Sequence, residues 1–105
     1  MEIVFEKKYL SDLYYNGKTS DKKHRFQPEV IKRYKLRIET LESAHCVEDL
    51  FQINALHYKV LKGDKQGLSS IRVNDTYRIE FTTKERESDT VVTICTIVEL
   101  SNHYQ

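Results

Sequence analysis

Apolar residues recur at helical spacing in two segments of the N-terminal half of the chain. The first stripe precedes Gly17, a residue suited to a helix C-terminus, and consists of Tyr9, Leu10, Leu13 and Tyr14. The second follows Pro28, which fits the first turn of a helix, and consists of Ile31, Tyr34, Ile38 and Leu41. These stripes predict two helices that each turn one face towards a core, separated by a polar loop.

Alternation of apolar and polar residues predicts the strands. Residues 1–6 form a short first strand with Ile3 and Phe5 on one side, and "HYKVL" (57–61) is a possible strand. "GLSSIRVN" (67–74) and "YRIEFTT" (77–83) predict a hairpin around the turn signal "NDT" (74–76). "VVTICTIVEL" (91–100) is β-branched and nearly continuous, which is typical of a central strand.

Two further segments complete the order of elements. "VEDLFQINAL" (47–56) fits a single helical turn, and "KERESD" (84–89) is interpreted as a charged turn. The order β-α-α-(β)-β-β-β predicts an α+β fold, with two N-terminal helices packed on one face of a small, mostly antiparallel β-sheet. A length of 105 residues predicts a single domain over residues 1–105.

Positive charge is concentrated in one part of a chain that is otherwise near neutral. The formal net charge is only +1, which excludes a general nucleic-acid coat, but the segment from His57 to Arg78 holds five basic and two acidic residues. Alternation puts Arg78 on the face opposite Tyr77, so we expect Arg78 on the open face of the sheet. Together with Arg72 and Lys62 it would form a cationic surface suited to phosphate.

Cysteine and histidine spacing excludes several other classes. Cys46 and Cys95 form no CxxC pair, and Cys95 lies in an apolar run, so reduced thiols and a cytoplasmic location are expected. The start "MEIVFEKKYL" predicts no signal peptide, and no apolar run approaches the about 20 residues of a membrane span. The histidines lack ligand spacing, so we expect neither metal nor cofactor; they are His24, His45, His57 and His103.

The stretch "LKGDKQGLSSIRVNDTYRIEF", with the later ending "VELSNHYQ", resembles the HigB-type toxins of the RelE/ParE superfamily. In those proteins a Leu-Lys-Gly-Asp turn leads to a strand beginning Ser-Ile. An aromatic-Arg-Ile strand follows, and a histidine closes the chain. The resemblance covers the C-terminal half well and the N-terminal half mainly in the order of its elements.

The resemblance implies a RelE-like microbial RNase fold and a specific activity. HigB-type toxins are endoribonucleases that cut translated mRNA in the ribosomal A site, and a helix-turn-helix antitoxin of the HigA type neutralises them. Lys62 would match the phosphate-binding lysine and Arg78 the arginine after the aromatic residue. His103 would match the terminal histidine that takes part in proton transfer. Expected partners are therefore this antitoxin, the mRNA and ribosomal RNA.

The basic residues depart from the family pattern at two positions. The family often has a histidine three residues before the lysine, where this chain has Lys59; the nearest histidine is His57, and both are possible catalytic residues. A second arginine near the hairpin turn appears here as Asn74. Arg72, two residues earlier and on the same strand face, could substitute for it as a catalytic residue.

The end of the chain departs as well. The family's Asp-Tyr-His becomes Ser101-Asn102-His103, so Asn102 takes the position of the phenol and Tyr104 is a possible stand-in. RNA supplies its own nucleophile, the 2′-hydroxyl, so the protein has to neutralise phosphate charge and transfer protons. Arginine and lysine suit the first task, and histidine suits the second because its pKa lies near neutrality.

Structural alternatives exist for most of these residues. Lys65 and Asn74 are candidates for RNA binding, but turn residues are also ordinary solvated groups. Arg72 could pair with Glu80 across the hairpin, and Tyr77, a candidate stacking platform, fits a core position better. For the whole chain, the alternatives are a ParE-like gyrase poison without nuclease activity and a non-catalytic interaction domain whose basic face binds an acidic partner.

Overall fold

A computed structural model describes residues 1–87 and 90–102 of the chain. Within that range one five-stranded sheet has the order β1-β5-β4-β3-β2. Its strands are β1 (Glu2–Phe5), β2 (Lys59–Val60), β3 (Ser69–Arg72), β4 (Tyr77–Glu87) and β5 (Val91–Asn102). Strand β1 runs parallel to β5, and every other pairing is antiparallel. The predicted α+β fold with a mostly antiparallel sheet is confirmed, and β5 is an interior strand as predicted.

Two main helices form where the apolar stripes predicted them. Helix α1 (Lys8–Asn16) ends because Gly17 adopts a left-handed conformation, φ 74°, and donates its backbone N–H to the Leu13 carbonyl. Helix α2 (Pro28–Ser43) begins at the proline. The Tyr34 hydroxyl donates to the Leu10 carbonyl at 2.8 Å, which ties the two helices together.

Helices α1 and α2 cover one face of the sheet, and the core lies between them. Helix residues of the core are Tyr9, Leu10, Leu13, Val30, Tyr34, Ile38 and Leu41. Strand residues of the core are Ile71, Ile79, Phe81, Cys95, Ile97 and Leu100. We call this side of the sheet the apolar face. The predicted packing of the two helices on one face is confirmed.

The segment between α2 and β3 is built from short elements. A third helix, α3 (Glu48–Phe51), buries Leu50 and matches the predicted helical turn. Two 3₁₀ turns follow at Asn54–Leu56 and Gly63–Lys65, on either side of the two-residue strand β2. No helix among residues 1–87 and 90–102 is long and apolar enough to cross a bilayer.

The prediction of a charged turn at residues 84–89 is wrong for its first four residues. Strand β4 continues to Glu87 and remains paired with β5 out to Val91. Residues 83–87 are exposed, because this end of the hairpin extends beyond the helices. Because neither side of this strand segment is buried, its residues do not alternate between apolar and polar. The run of charged residues therefore resembles a turn in the sequence.

Candidate functional site

Polar residues collect on the face of the sheet opposite the helices, which we call the polar face. Directly paired strand residues point to the same side of a sheet, so the register identifies the members of this face. The pairs are Arg72 with Arg78, Ser70 with Glu80, Arg78 with Ser101, and Lys59 with Ser70. The two arginines therefore stand side by side where β3 and β4 meet the connecting turn.

Arg78 is held in place by two hydrogen bonds that use one edge of its guanidinium group. Its Nε donates to the Ser70 hydroxyl at 2.9 Å, and its Nη2 donates to the His57 carbonyl at 2.6 Å. The side chain therefore crosses β3 towards the start of β2. Its remaining N–H groups are available to an incoming acceptor, as required for phosphate binding.

Arg78 is buried on the face where alternation predicted it. It lies on the polar face as predicted, but only 7% of it is accessible. Burial lowers the pKa of its guanidinium group, the charge of Arg72 lowers it further, and Glu80 opposes the shift. Its burial therefore distinguishes Arg78 from an ordinary solvent-exposed arginine of a strand. A partly desolvated cation beside a second cation is a favourable place for an anion.

His57 contributes its backbone to this arrangement. Among the residues that the structure describes, it is the one non-glycine residue with positive φ, at φ 45° and ψ 50°. Such a left-handed conformation costs histidine roughly 1–2 kcal/mol. Here it brings the His57 carbonyl to Arg78, while the imidazole is exposed.

Arg72 is fixed at both its side chain and its backbone. Its Nη2 pairs with Asp75, and its carbonyl accepts a hydrogen bond from Arg37 Nε at 3.0 Å. The alternative pairing of Arg72 with Glu80 is not formed. The partner of Glu80 is Lys65, with Nζ and Oε2 2.6 Å apart.

The Lys65–Glu80 pair fastens the 3₁₀ turn Gly63–Lys65 to the polar face. The Glu80 side chain is only 8% exposed, whereas that of Lys65 is 45% exposed. The charge of Lys65, a predicted RNA-binding residue, is thus already compensated by a carboxylate. Lys62 and Lys59 are exposed, Lys62 at the start of this turn and Lys59 in β2.

Asn74 and Tyr77 have structural roles in the β3–β4 turn. The Asn74 side-chain oxygen accepts backbone N–H groups from Thr76 at 2.9 Å and Tyr77 at 2.7 Å, so it closes the turn. Tyr77 packs edge-on against Phe26, with ring centroids 5.3 Å apart, beside the apolar core. Tyr77 is half-buried at the margin of the core, and its ring lies on the side away from Arg78.

The C-terminal candidates are only partly described. Asn102 is the last residue of β5, is exposed, and pairs with Tyr77 rather than with a member of the polar face. His103 and Tyr104 lie outside the described residues. Over the part of the chain that the structure covers, no three His, Cys, Asp or Glu side chains gather to form a metal site.

Two polar residues of this region, Ser70 and Arg37, were not among the predicted site residues, and Glu80 was considered only as a partner of Arg72. The alternation of β3 and β4 put Ser70 and Glu80 on the polar face, but it gave no sign that they would be buried and bonded. Arg37 belongs to the flank of α2, and its contact with β3 joins residues 35 positions apart. No local pattern reports such a contact.

Sequence comparison with known proteins places the chain in a family. The family model described as "RelE-like toxin of type II toxin-antitoxin system HigB" matches residues 3–94. The chain belongs to this HigB-like toxin family. It is 34% identical to Toxin HigB-1 of Vibrio cholerae over 82 residues, which cover 77% of this chain and 82% of that protein.

Two solved structures share the fold of this HigB-like toxin at low sequence identity. A YoeB/ParE toxin from Agrobacterium tumefaciens has a TM-score of 0.59 at 15% identity, with 99% of this chain and 100% of that chain covered. The YoeB–YefM complex from Staphylococcus aureus has a TM-score of 0.54 at 17% identity, covering 99% and 98%. At this identity the likeness extends to the fold alone, which is that of YoeB-like toxins.

Proposed function

We propose that this HigB-like toxin is a ribosome-dependent endoribonuclease that cleaves mRNA in the ribosomal A site. The observation that supports it is the pair Arg72 and Arg78, directly opposite each other on the polar face. Arg78 is fixed along one guanidinium edge and free along the other. A fixed donor aimed at developing charge accelerates such reactions by about 10²–10³.

The reaction needs no metal ion in this proposal. A base removes the proton of the RNA 2′-hydroxyl, whose oxygen attacks the adjacent phosphorus. The bond to the 5′-oxygen breaks, leaving a 2′,3′-cyclic phosphate, and an acid protonates the departing oxygen. Arg78 and Arg72 bind the non-bridging oxygens as negative charge develops on them. Lys62, exposed at the start of its turn, binds a further phosphate oxygen.

Proton transfer is assigned to the end of the chain and to the segment before β2. His103 acts as the acid that protonates the 5′-oxygen, since imidazole titrates near neutral pH. Tyr104, Asn102, His57 and Lys59 are the candidates for hydrogen bonding to the reacting groups. Lys65 fastens the turn that bears Lys62, through its pair with Glu80.

We further propose a HigA-type helix-turn-helix antitoxin as the neutralising partner and a cytoplasmic site of action. Membership of a type II toxin–antitoxin family supports the partner. The fold is also shared with a toxin solved in a complex, YoeB–YefM. Co-expression with the product of an adjacent reading frame should restore growth and give a stable complex on size-exclusion chromatography.

The decisive experiment is primer extension on a reporter mRNA translated by purified ribosomes. Wild-type protein should produce new 5′ ends within codons, and Arg78→Gln should reduce cleavage by about 10²–10³. Lys84→Gln is the matched control, because Lys84 is exposed and lies further along the same strand. Circular dichroism establishes that each variant is folded.

The absence of new 5′ ends with folded wild-type protein would refute the nuclease assignment. Growth inhibition accompanied by DNA-damage signalling, and without mRNA cleavage, would instead support a gyrase poison. Toxicity that survives the loss of Arg72, Arg78 and His103 together would support a non-catalytic interaction domain.

A further inference from the structure

Arg37 occupies an unusual position at the edge of the sheet. Strand β2 pairs with β3 only at Ser69 and Ser70, so the last residue of β3, Arg72, has no strand partner on that side. The Arg37 guanidinium group fills this gap and donates from Nε to the Arg72 carbonyl at 3.0 Å. A residue of α2 thereby fixes the end of the strand that carries the Arg72–Arg78 pair.

In that pair two guanidinium groups lie side by side, and Arg37 contacts the backbone of one of the two residues. Val73 donates its backbone N–H to Tyr77 at 2.9 Å, so the neighbouring pair, Arg72 and Arg78, lies in a non-hydrogen-bonded position. Residues in such positions are closest, with Cα atoms about 4.5 Å apart. Arg37 reaches the same residue pair from the sheet edge.

Arg37 has no acidic partner in the described part of the chain. Arg37, Glu39 and Asp49 line one surface depression, yet neither carboxylate forms an ion pair with Arg37. Arg33 lies one helical turn earlier on α2 and adds a fourth positive charge. Burial lowers the pKa of Arg37, and the neighbouring charges of Arg33 and Arg72 lower it further.

Repulsion among these arginine side chains lowers the stability of the folded protein. A bound anion would relieve this repulsion. Asp75 pairs with Arg72 from an exposed position, and Glu80 is occupied by Lys65. Arg37 keeps its Nη groups for another acceptor, since the hydrogen bond to Arg72 uses only Nε.

We infer that Arg37 and Arg33 form a second phosphate subsite, which binds a neighbouring backbone phosphate of the same RNA strand whose scissile phosphate lies at Arg72 and Arg78. The inference rests on the proposed function for the identity of the anion as RNA. Arg37 then has two roles: its Nε positions Arg72, and its Nη groups bind RNA. Arg33 contributes only to the second.

The salt dependence of RNA binding tests the subsite directly. A fluorescent, single-stranded oligoribonucleotide is titrated with the purified protein over a series of salt concentrations. Each lost phosphate contact should reduce the slope of log K against log salt by about 0.7 for a single strand. Arg37→Gln and Arg33→Gln should each weaken binding at low salt and reduce the slope by about this amount.

Lys84→Gln is the control for loss of charge alone. Lys84 lies six residues after Arg78 on β4, a distance of about 20 Å along an extended strand. Its substitution removes the same charge and should leave the slope unchanged. If all three variants reduce the slope equally, or if Arg37→Gln leaves it at the wild-type value, the subsite does not exist.

A purely positioning role of Arg37 gives a different result. In that case Arg37→Gln would lower ribosome-dependent cleavage through Arg72, while Arg33→Gln, which does not touch Arg72, would change neither slope nor cleavage. That combination would overturn the proposed subsite. Absence of RNA binding by the wild type at the lowest salt would also overturn it.

The nuclease assignment and the subsite can fail separately. If the wild type binds RNA with the expected slopes but cleaves no translated mRNA, the nuclease assignment fails and the subsite stands. If it cleaves mRNA while Arg37→Gln and Arg33→Gln bind and cleave like the wild type, the subsite fails and the nuclease assignment stands.

Discussion

The two faces of the sheet bury their residues by different physical means. On β4 the four consecutive residues Arg78, Ile79, Glu80 and Phe81 are all buried, alternately on the polar and the apolar face. Ile79 and Phe81 lie under the helices, where removal of apolar surface from water stabilises them. Arg78 and Glu80 are buried because each has a specific hydrogen-bonding or ionic partner.

The difference suggests a division of tasks between the faces. The apolar face is covered by two helices of nine and sixteen residues. On the polar face, the partners of Arg78 and Glu80 come from β3, from His57 just before β2, and from the 3₁₀ turn Gly63–Lys65. Packing of apolar side chains against the helices stabilises the fold, whereas the polar face depends on a few individual hydrogen bonds and one ion pair.

The largest expected effect concerns the apolar face. Phe81→Ala removes a fully buried ring and should lower the free energy of unfolding by about 3–5 kcal/mol, measured by chemical denaturation. Phe51→Ala is the matched control, because Phe51 is 57% exposed and contacts Tyr58. It should cost about 1 kcal/mol or less. Similar losses for both variants would contradict the assignment of the core to the helix-covered side.

A smaller effect is expected for the ion pair on the polar face. Lys65→Met leaves the buried Glu80 carboxylate without its cation, which should cost about 1–3 kcal/mol. Combining it with Glu80→Gln in a double-mutant cycle should show coupling, since the two residues touch.

The Lys7–Glu99 pair is the comparison for that cycle. Its atoms are 2.8 Å apart, but its side chains are 42% and 39% exposed. Exposed pairs contribute about 0–1 kcal/mol, so its coupling energy should be clearly smaller. Equal coupling energies would mean that Glu80 is no more shielded from water than Glu99.

The smallest expected effect is a pH dependence of the free energy of unfolding, which arises from a buried thiol on the apolar face. Burial raises the pKa of the Cys95 thiol from 9.0 to about 12. The folded state therefore favours the protonated thiol, and this contribution is present below about pH 9 and lost as pH rises towards 12. Between about pH 8 and pH 10 the loss should be roughly 1 kcal/mol.

Cys95→Ala isolates that contribution. Burial likewise raises the pKa of Tyr9, from 10.0 to about 12, so the wild type and the variant both lose stability at alkaline pH. The variant should lose less over the same range, measured by denaturation at each pH. Parallel pH profiles for the two proteins would show that the Cys95 thiol ionises as easily when folded as when unfolded.

The sequence predicted the apolar face better than the polar one. Helix α2 and the alternation of β3 and β4 follow from periodic burial, which leaves a regular trace in the order of residues. The positions of Arg72 and Arg78 on one face also followed from alternation and from the family resemblance.

The details that the sequence did not reveal depend on contacts between distant residues. The buried Arg78 donates a hydrogen bond to the carbonyl of His57, which lies 21 positions earlier in the chain. That carbonyl is correctly placed because His57 adopts a left-handed backbone conformation. The Lys65–Glu80 pair and the Arg37–Arg72 contact join segments that no local propensity connects. The outward extension of β4 to Glu87 has no buried side, so it carried no periodic signal.

The position of β5 between β1 and β4 has a consequence for biosynthesis. The first strand can find its parallel partner only after residues 91–102 have left the exit tunnel, since β1 pairs with no other strand in the described fold. A nascent chain thus holds an unpaired first strand while both main helices and strands β2 to β4 are being made. For a protein proposed to attack translation, this connectivity delays completion of its sheet until β5 has emerged from the ribosome that makes it.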